Sequence, residues 1–157
     1  MVYMSVDTTD IPIQYSSRSG KSRSQTFSIK NHQYSIKIET GVTHNGLIVY
    51  YNGIYYHDWH DLSIFKVGLS KELMPNEKVF ADKAYQSSQC ITPYKKRRDG
   101  ENFTLQMEEH NRIVGHYRAI VENLNANLKD WGILTLYRGR NMDFPTELFY
   151  SYLQYHQ

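Results

Sequence analysis

The sequence predicts an α/β domain in which helices flank a mixed β-sheet, and three observations carry that prediction. Residues 32–42 alternate apolar and polar side chains, and Asn45-Gly46 then turns the chain into a second β-rich run. Residues 103–131 carry apolar side chains at helical spacing. Between these regions, Lys78 to Ala81 has strand length and apolar character and leads directly into Asp82. Three strands, a helix, a strand and a long helix describe an antiparallel meander extended by a parallel strand.

Each element has its own warrant. Residues 2–13 read as a strand that carries Asp7 and ends near Pro12. Residues 14–26, built of Ser, Arg, Lys and Gly, read as a basic loop or hairpin. In the next strand Tyr34, Ile36 and Ile38 alternate with Ser35, Lys37 and Glu39, the pattern of a half-buried strand, and Leu47 to Tyr51 is its hairpin partner. His60-Asp61 is placed to cap a helix that runs to about Leu73 and is closed by Pro75. Cys90 reads as a buried strand residue, and Pro93 through Gly100 as a basic loop. On the long helix, a step of about 100° per residue puts Ile113, Tyr117, Ile120, Leu124, Leu128 and Trp131 on a core stripe. Asn111, Arg118, Asn125 and Lys129 then fall near Glu122 on the opposite side. Gly132 ends the helix, residues 133–137 read as a strand, and residues 144–155 as a last aromatic helix.

Composition narrows the function classes. A chain of 157 residues is long enough for one domain, 1–157, with its own core. Forty per cent hydrophobic and 22% charged residues argue against disorder, and 14 tyrosines favour β structure. The net charge of +2 gives no global field for nucleic acid, yet basic residues cluster at Arg18–Arg23 and at Lys95, Lys96, Arg97 and Arg98. Such clusters either release counterions from phosphates or are solvated loops. The lone cysteine, Cys90, excludes a disulfide within the chain and fits a reducing compartment. No apolar run approaches the roughly 20 residues of a membrane span, and the N-terminus lacks the pattern of a signal peptide. The expectation is an intracellular protein, not a secreted one.

Acids placed at element ends are the remaining signal. Asp7, Asp82 and Glu122 lie far apart in sequence but on elements that a fold can bring together, and Asp61 is a fourth such acid. Hard oxygen ligands of this kind hold Mg²⁺, and two such ions cut a phosphodiester with little further help. The same spacing equally suits a turn acid at Asp7, a helix cap at Asp82 and an i,i+4 partner of Arg118 at Glu122. His57-Asp58-Trp59-His60-Asp61 has a His/Asp pattern found in metal phosphohydrolases, and reads equally as a loop with an Asp cap. Tyr85 either stacks on a base or packs in the core. Nothing local lowers the Cys90 thiol pKa, which argues against a cysteine nucleophile.

Taken in order, these segments resemble the PIF/Harbinger group of DDE-type transposases from Asp7 to about Trp131. Asp7-Thr8-Thr9-Asp10-Ile11-Pro12-Ile13 is similar to the family's first block, and Gly41 to Val49 to its paired strands. His60-Asp61-Leu62-Ser63-Ile64-Phe65 is similar to the block with an extra acid. Ala81-Asp82-Lys83-Ala84-Tyr85-Gln86 with Cys90-Ile91-Thr92-Pro93-Tyr94-Lys95 resembles the second catalytic block, and Arg118, Glu122 and Lys129 match the last. The resemblance implies a ribonuclease-H-like fold and a DNA endonuclease or transposase that cleaves phosphodiester bonds with two Mg²⁺ or Mn²⁺ ions. It makes Asp7, Asp82 and Glu122 the catalytic, metal-holding triad and Asp61 a further metal acid. Arg118 and Lys129, with Lys95, Lys96, Arg97 and Arg98, become nucleic-acid contacts.

It further implies transposon-end DNA as partner, a separate Myb-like DNA-binding protein, an oligomer, and a nuclear location in a eukaryote or a cytoplasmic one otherwise. Thr8, His57 and Ala84 stand where the family has glycine, and the family's N-terminal helix-turn-helix segment is missing. Those departures raise the alternative of a truncated, catalytically inactive module that binds DNA or protein.

Overall fold

The computed structural model describes residues 2–14, 23–29, 31–95, 102–130, 132–136 and 138. β1 (Val2–Pro12) pairs antiparallel with β3 (Gln33–Thr43) and parallel with β5 (Lys78–Phe80). β3 also pairs antiparallel with β4 (Ile48–Tyr56) and with the two-residue β2 (Phe27–Ser28), while β6 (Cys90–Ile91) joins β5 in parallel. The result is the expected mixed sheet, consistent with a ribonuclease-H-like domain. The β3–β4 turn forms at Asn45-Gly46: Gly46 takes φ 88°, and the Thr43 amide donates to the Leu47 carbonyl at 2.8 Å.

α1 (Arg23–Thr26) is a single turn before β2, within the segment expected to be loop; residues 15–22 lie outside the described residues. The expected helix from Asp61 to about Leu73 is two helices, α2 (Asp61–Val67) and α3 (Leu69–Glu72), which meet at Gly68. A Cβ at Gly68 would collide with the Asn52 amide and the Tyr50 hydroxyl, so glycine lets this corner press onto β4. The long helix is α4 (Leu105–Asp130). The strand expected over 133–137 does not form, because Gly132–Thr135 makes another helical turn, α5, whose Leu134 packs under β1 and β3. The expected helix at 144–155 lies outside the described residues.

The two sheet faces bury separate cores, as period-2 alternation requires. On one face Ile11, Ile36 and Ile38 pack with Leu128 of α4 and Leu134 of α5. On the other, Val6, Val79, Ala81 and Tyr85 pack with Phe65 and Leu69 of α2 and α3. β3 is therefore covered on both sides rather than half-buried: Ser35 and Glu39, read from the sequence as the wet face, are fully buried, Ser35 beside His57 and Glu39 on the face that α2 and α3 cover. α4 is also turned from its expected orientation. Its buried positions are Val114, Val121, Asn125 and Leu128, while Ile113 is 39% exposed. Polar anchors turn it: Ser5 Oγ donates to the Tyr117 carbonyl at 2.8 Å, and Asn125 bonds to the sheet.

Candidate active site

The parallel pairing of β1 with β5 sets the first two acids level. Ser5 pairs with Phe80, the last residue of β5, so Asp7 lies two residues further along β1 and Asp82 two residues beyond the end of β5. Phe80 stacks on Tyr117 of α4 at 4.7 Å and 9°, which seats the helix over this part of the sheet. Arg118 is the next residue along α4, and Glu122 follows one turn later.

Arg118 ties the acids together. Its guanidinium lies 3.3 Å from Asp82 Oδ1 and donates to Glu122 Oε1 at 2.6 Å. Its charge also favours the ionised form of Asp7. Burial works against that: desolvation pushes the Asp7 carboxyl up to about 6 from its ordinary 3.8, although Arg118 and a hydrogen bond from Asn125 oppose the shift. Asn125 donates to Asp7 Oδ2 at 3.2 Å and accepts from the Thr40 hydroxyl at 2.9 Å, so one buried amide holds both β1 and β3. Glu122 is half exposed and Asp82 a third exposed. The i,i+4 pairing of Arg118 with Glu122 forms, whereas Asp82 caps no helix; its carbonyl accepts from the Tyr85 amide in a tight turn.

Asp61 does not act as a cap. It is the first residue of α2, with His60 before it and no side-chain capping bond, and its carboxylate instead takes Lys37 Nζ at 3.0 Å. Its charge is still felt by Asp7. The two histidines of the His/Asp segment do not converge: His57 Nδ1 lies 3.3 Å from both Asp10 and Ser35, and His60 is exposed. Among the described residues no three His, Cys, Asp or Glu side chains stand close enough to hold a metal ion. The all-oxygen donor set suits Mg²⁺ or Mn²⁺ by its chemistry, but the Arg118 guanidinium lies between Asp82 and Glu122.

The residue that sequence reasoning missed is Glu39. It is fully buried on β3, opposite Asn52 of β4. Asn52 and the Tyr85 hydroxyl are its polar neighbours, yet both Glu39 oxygens, Asn52 Nδ2 and the Tyr85 hydroxyl complete no hydrogen bond among the described residues. Burial pushes Glu39 up to about 8 from 4.5, with the Asp61 and Asp7 charges adding to the rise, so it carries a proton at neutral pH. Its place on the polar side of an alternating strand disguised it; the one available signal was that Tyr85 and Phe65 would need the same face.

The other expected contacts divide. Lys129 is exposed in the last turn of α4 and Lys95 is exposed after β6, while Lys96, Arg97 and Arg98 lie outside the described residues. Tyr85 belongs to the core, edge-on to Phe65 at 5.8 Å. Burial pushes the Cys90 thiol up to about 12, in keeping with an inert side chain.

A mixed sheet with one acid within β1, a second just beyond its parallel neighbour β5 and a third on the helix above them suits a nuclease domain. Residues 6–148 match the DDE superfamily endonucleases, and the chain belongs to that family. It is 32% identical over 147 residues to a protein of Microchaete diplosiphon, "Probable transposase for insertion sequence element IS702". The match covers 88% of this chain and 51% of that relative, so the chain spans about half of the relative's length. No solved structure matches it.

Proposed function

We propose that the chain is a transposase catalytic domain of the PIF/Harbinger type that cleaves DNA phosphodiester bonds with divalent metal. The observation that carries this reading is the Arg118 guanidinium bonded to both Asp82, just beyond the end of β5, and Glu122, with Asp7 on the parallel neighbour β1 within reach of its charge. Asp7, Asp82 and Glu122 would hold two Mg²⁺ or Mn²⁺ ions, with Asp61 as the further acid. Those ions supply Lewis-acid activation of a water or a 3′-hydroxyl and stabilise the leaving oxygen.

The chain's own groups do the rest. Asn125 fixes the Asp7 carboxylate, and burial of Asp7 makes its ionised form dependent on a nearby cation. Arg118, released from Asp82 and Glu122, is placed to meet the scissile phosphate. Lys129 and Lys95, with Lys96, Arg97 and Arg98, contact the DNA backbone outside the cleavage point. The DNA ends of the mobile element are the substrate, a Myb-like protein is the proposed partner in finding them, and the nucleus of a eukaryote or the cytoplasm of a bacterium is the place of work.

Metal-dependent nicking of terminal-repeat DNA tests the reading. Asp82→Ala should cut at least about a thousandfold more slowly than the wild type; equal cutting by the two proteins refutes the assignment. A second reading, a catalytically silent module that binds DNA or protein, is favoured by the guanidinium lodged between Asp82 and Glu122 and by Thr8, His57 and Ala84 in place of glycines. Titration with Mn²⁺ separates the two. Binding lost in Glu122→Gln supports the nuclease, and DNA binding without any Mn²⁺ binding supports the module.

A further inference from the structure

We propose that the cavity beside Asp82 is a subsite for one unpaired nucleotide of the DNA strand, whose base stacks on Tyr94 and whose phosphates meet Lys83 and Lys95. The inference rests on the reading of DNA as substrate and adds which form of DNA the site receives. The cavity measures about 550 Å³, and its walls include Lys83, Gln86 and Ser87 on one side and Thr92, Tyr94 and Lys95 on the other. That volume lies in the range of sites for single small molecules, and the depression is open to solvent on one side.

Three features make it a built site. First, the aromatic ring is presented outward by design of the backbone. Tyr94 is 48% exposed, yet its main chain is clamped by one side chain of α4: its amide donates to Asn111 Oδ1 at 2.7 Å, and its carbonyl accepts from Asn111 Nδ2 at 3.4 Å. His110, one residue earlier on α4, contacts the Thr92 carbonyl at 3.0 Å and lies 4.6 Å from the Tyr94 ring. Second, the opposite wall is the tight turn after Asp82, where the Tyr85 amide donates to the Asp82 carbonyl at 2.9 Å and the Gln86 amide to the Ala84 carbonyl at 3.1 Å. Lys83 and Gln86 are exposed on that turn. Third, both walls are referenced to the acids: one begins at Asp82, and the other hangs from the helix that carries Arg118 and Glu122.

The chemistry follows from that arrangement. A base inside a duplex has both faces covered by its neighbours and cannot offer one to Tyr94, whereas an unpaired base can. Stacking on an aromatic side chain tolerates any base, so the subsite reads strandedness rather than sequence. Two lysines in the lining, one from the turn after Asp82 and one from the segment after β6, suit the phosphates of one nucleotide. A frayed or tailed end would therefore be held with its backbone leading to Asp82.

The full chain, in EDTA so that no cleavage occurs, is titrated by fluorescence anisotropy into two duplexes of one sequence, one blunt and one with a three-nucleotide thymidine tail. The wild type should bind the tailed duplex about tenfold more tightly. Tyr94→Ala should lose that preference and keep its affinity for the blunt duplex, Tyr94→Trp should restore the preference, and Lys83→Ala should weaken the tailed duplex more than the blunt one. A wild type that binds both duplexes equally overturns the subsite and leaves the nuclease reading standing. The same holds if Tyr94→Ala weakens both alike or Tyr94→Trp fails to restore the preference. A wild type that binds neither duplex overturns the subsite together with the DNA reading on which it rests.

Discussion

The two faces of the sheet bury carboxyl groups at nearly the same level and treat them in opposite ways. On the α4 face, Asp7 is bonded to Asn125, feels Arg118 and has its pKa raised to only about 6. On the α2–α3 face, Glu39 is enclosed without a completed hydrogen bond and is pushed up to about 8. Asp7 on β1 and Glu39 on its partner β3 sit one register step apart, and the residues differ by one methylene, so intrinsic acidity does not explain the contrast. What differs is the cover. α4 brings an amide and a guanidinium to the sheet, whereas α2 and α3 bring Phe65 and Leu69. A carboxyl beneath polar cover remains available for cation binding at neutral pH, and one beneath apolar cover becomes a neutral core group.

The largest expected effect breaks the comparison at Glu39. The folded protein holds the Glu39 proton up to about 8, while the unfolded chain releases it near 4.5. Stability linked to this group is therefore fully present below pH 4.5 and is lost as the pH rises through 8. Glu39→Gln is neutral throughout and escapes that loss. Urea denaturation should find the variant and the wild type similar at pH 4, and the variant more stable at pH 8 by a few kcal/mol. Parallel stability curves across that range would show that Glu39 is ionised and paired in solution.

How much of this was legible in the sequence also divides by face. The order of elements, the Asn45-Gly46 turn, the short strand before Asp82 and the long helix could all be read, because each depends on local periodicity or turn chemistry. The orientation of α4 could not. A helical wheel ranks faces by hydrophobicity and puts Asn125 beside Glu122, whereas Thr40 and Asp7, far away in sequence, draw Asn125 into the interior. The alternation of β3 misled for the same reason. Period two says which residues share a face, but not whether α2 and α3 will cover it, so Glu39 looked like a solvated acid. Asp82 could be singled out as an acid at a strand end, whereas Asp7, expected at an element end, lies in the middle of β1; their proximity follows from a parallel register that no local pattern encodes.

A medium effect sharpens the α4 side. Asn125→Ala removes the donor to Asp7 and the acceptor for the Thr40 hydroxyl, and leaves both groups enclosed. The cost should be about 1–3 kcal/mol by thermal or urea unfolding at pH 7. The hydrogen bond from Asn125 lowers the Asp7 pKa, so its loss should also move the titration of Asp7, followed by carbon-detected NMR, above about 6. Destabilisation without that upward movement would mean that Asn125 serves packing alone, and that the contrast between the faces does not arise from polar cover.

The smallest effect lies on the Glu39 face. Lys37 shares the face of Glu39, two residues away on β3, but reaches outward to Asp61 Oδ1 at 3.0 Å and the Trp59 carbonyl at 2.9 Å. Asp61 is 29% exposed, so water can take over much of the lysine's role when the ion pair is lost. Lys37→Met keeps the apolar stem, and its cost at pH 7 should be no more than about 1 kcal/mol. The informative part is the pH dependence. The Asp61 charge already raises Glu39, and without its lysine that charge acts uncompensated. The fall in stability with rising pH should therefore start at the same pH, continue to higher pH and become larger in Lys37→Met. A loss of several kcal/mol, with a fall toward high pH that the wild type lacks, would instead make Lys37 the counter-charge of an ionised Glu39, and the two faces would then solve the same problem in the same way.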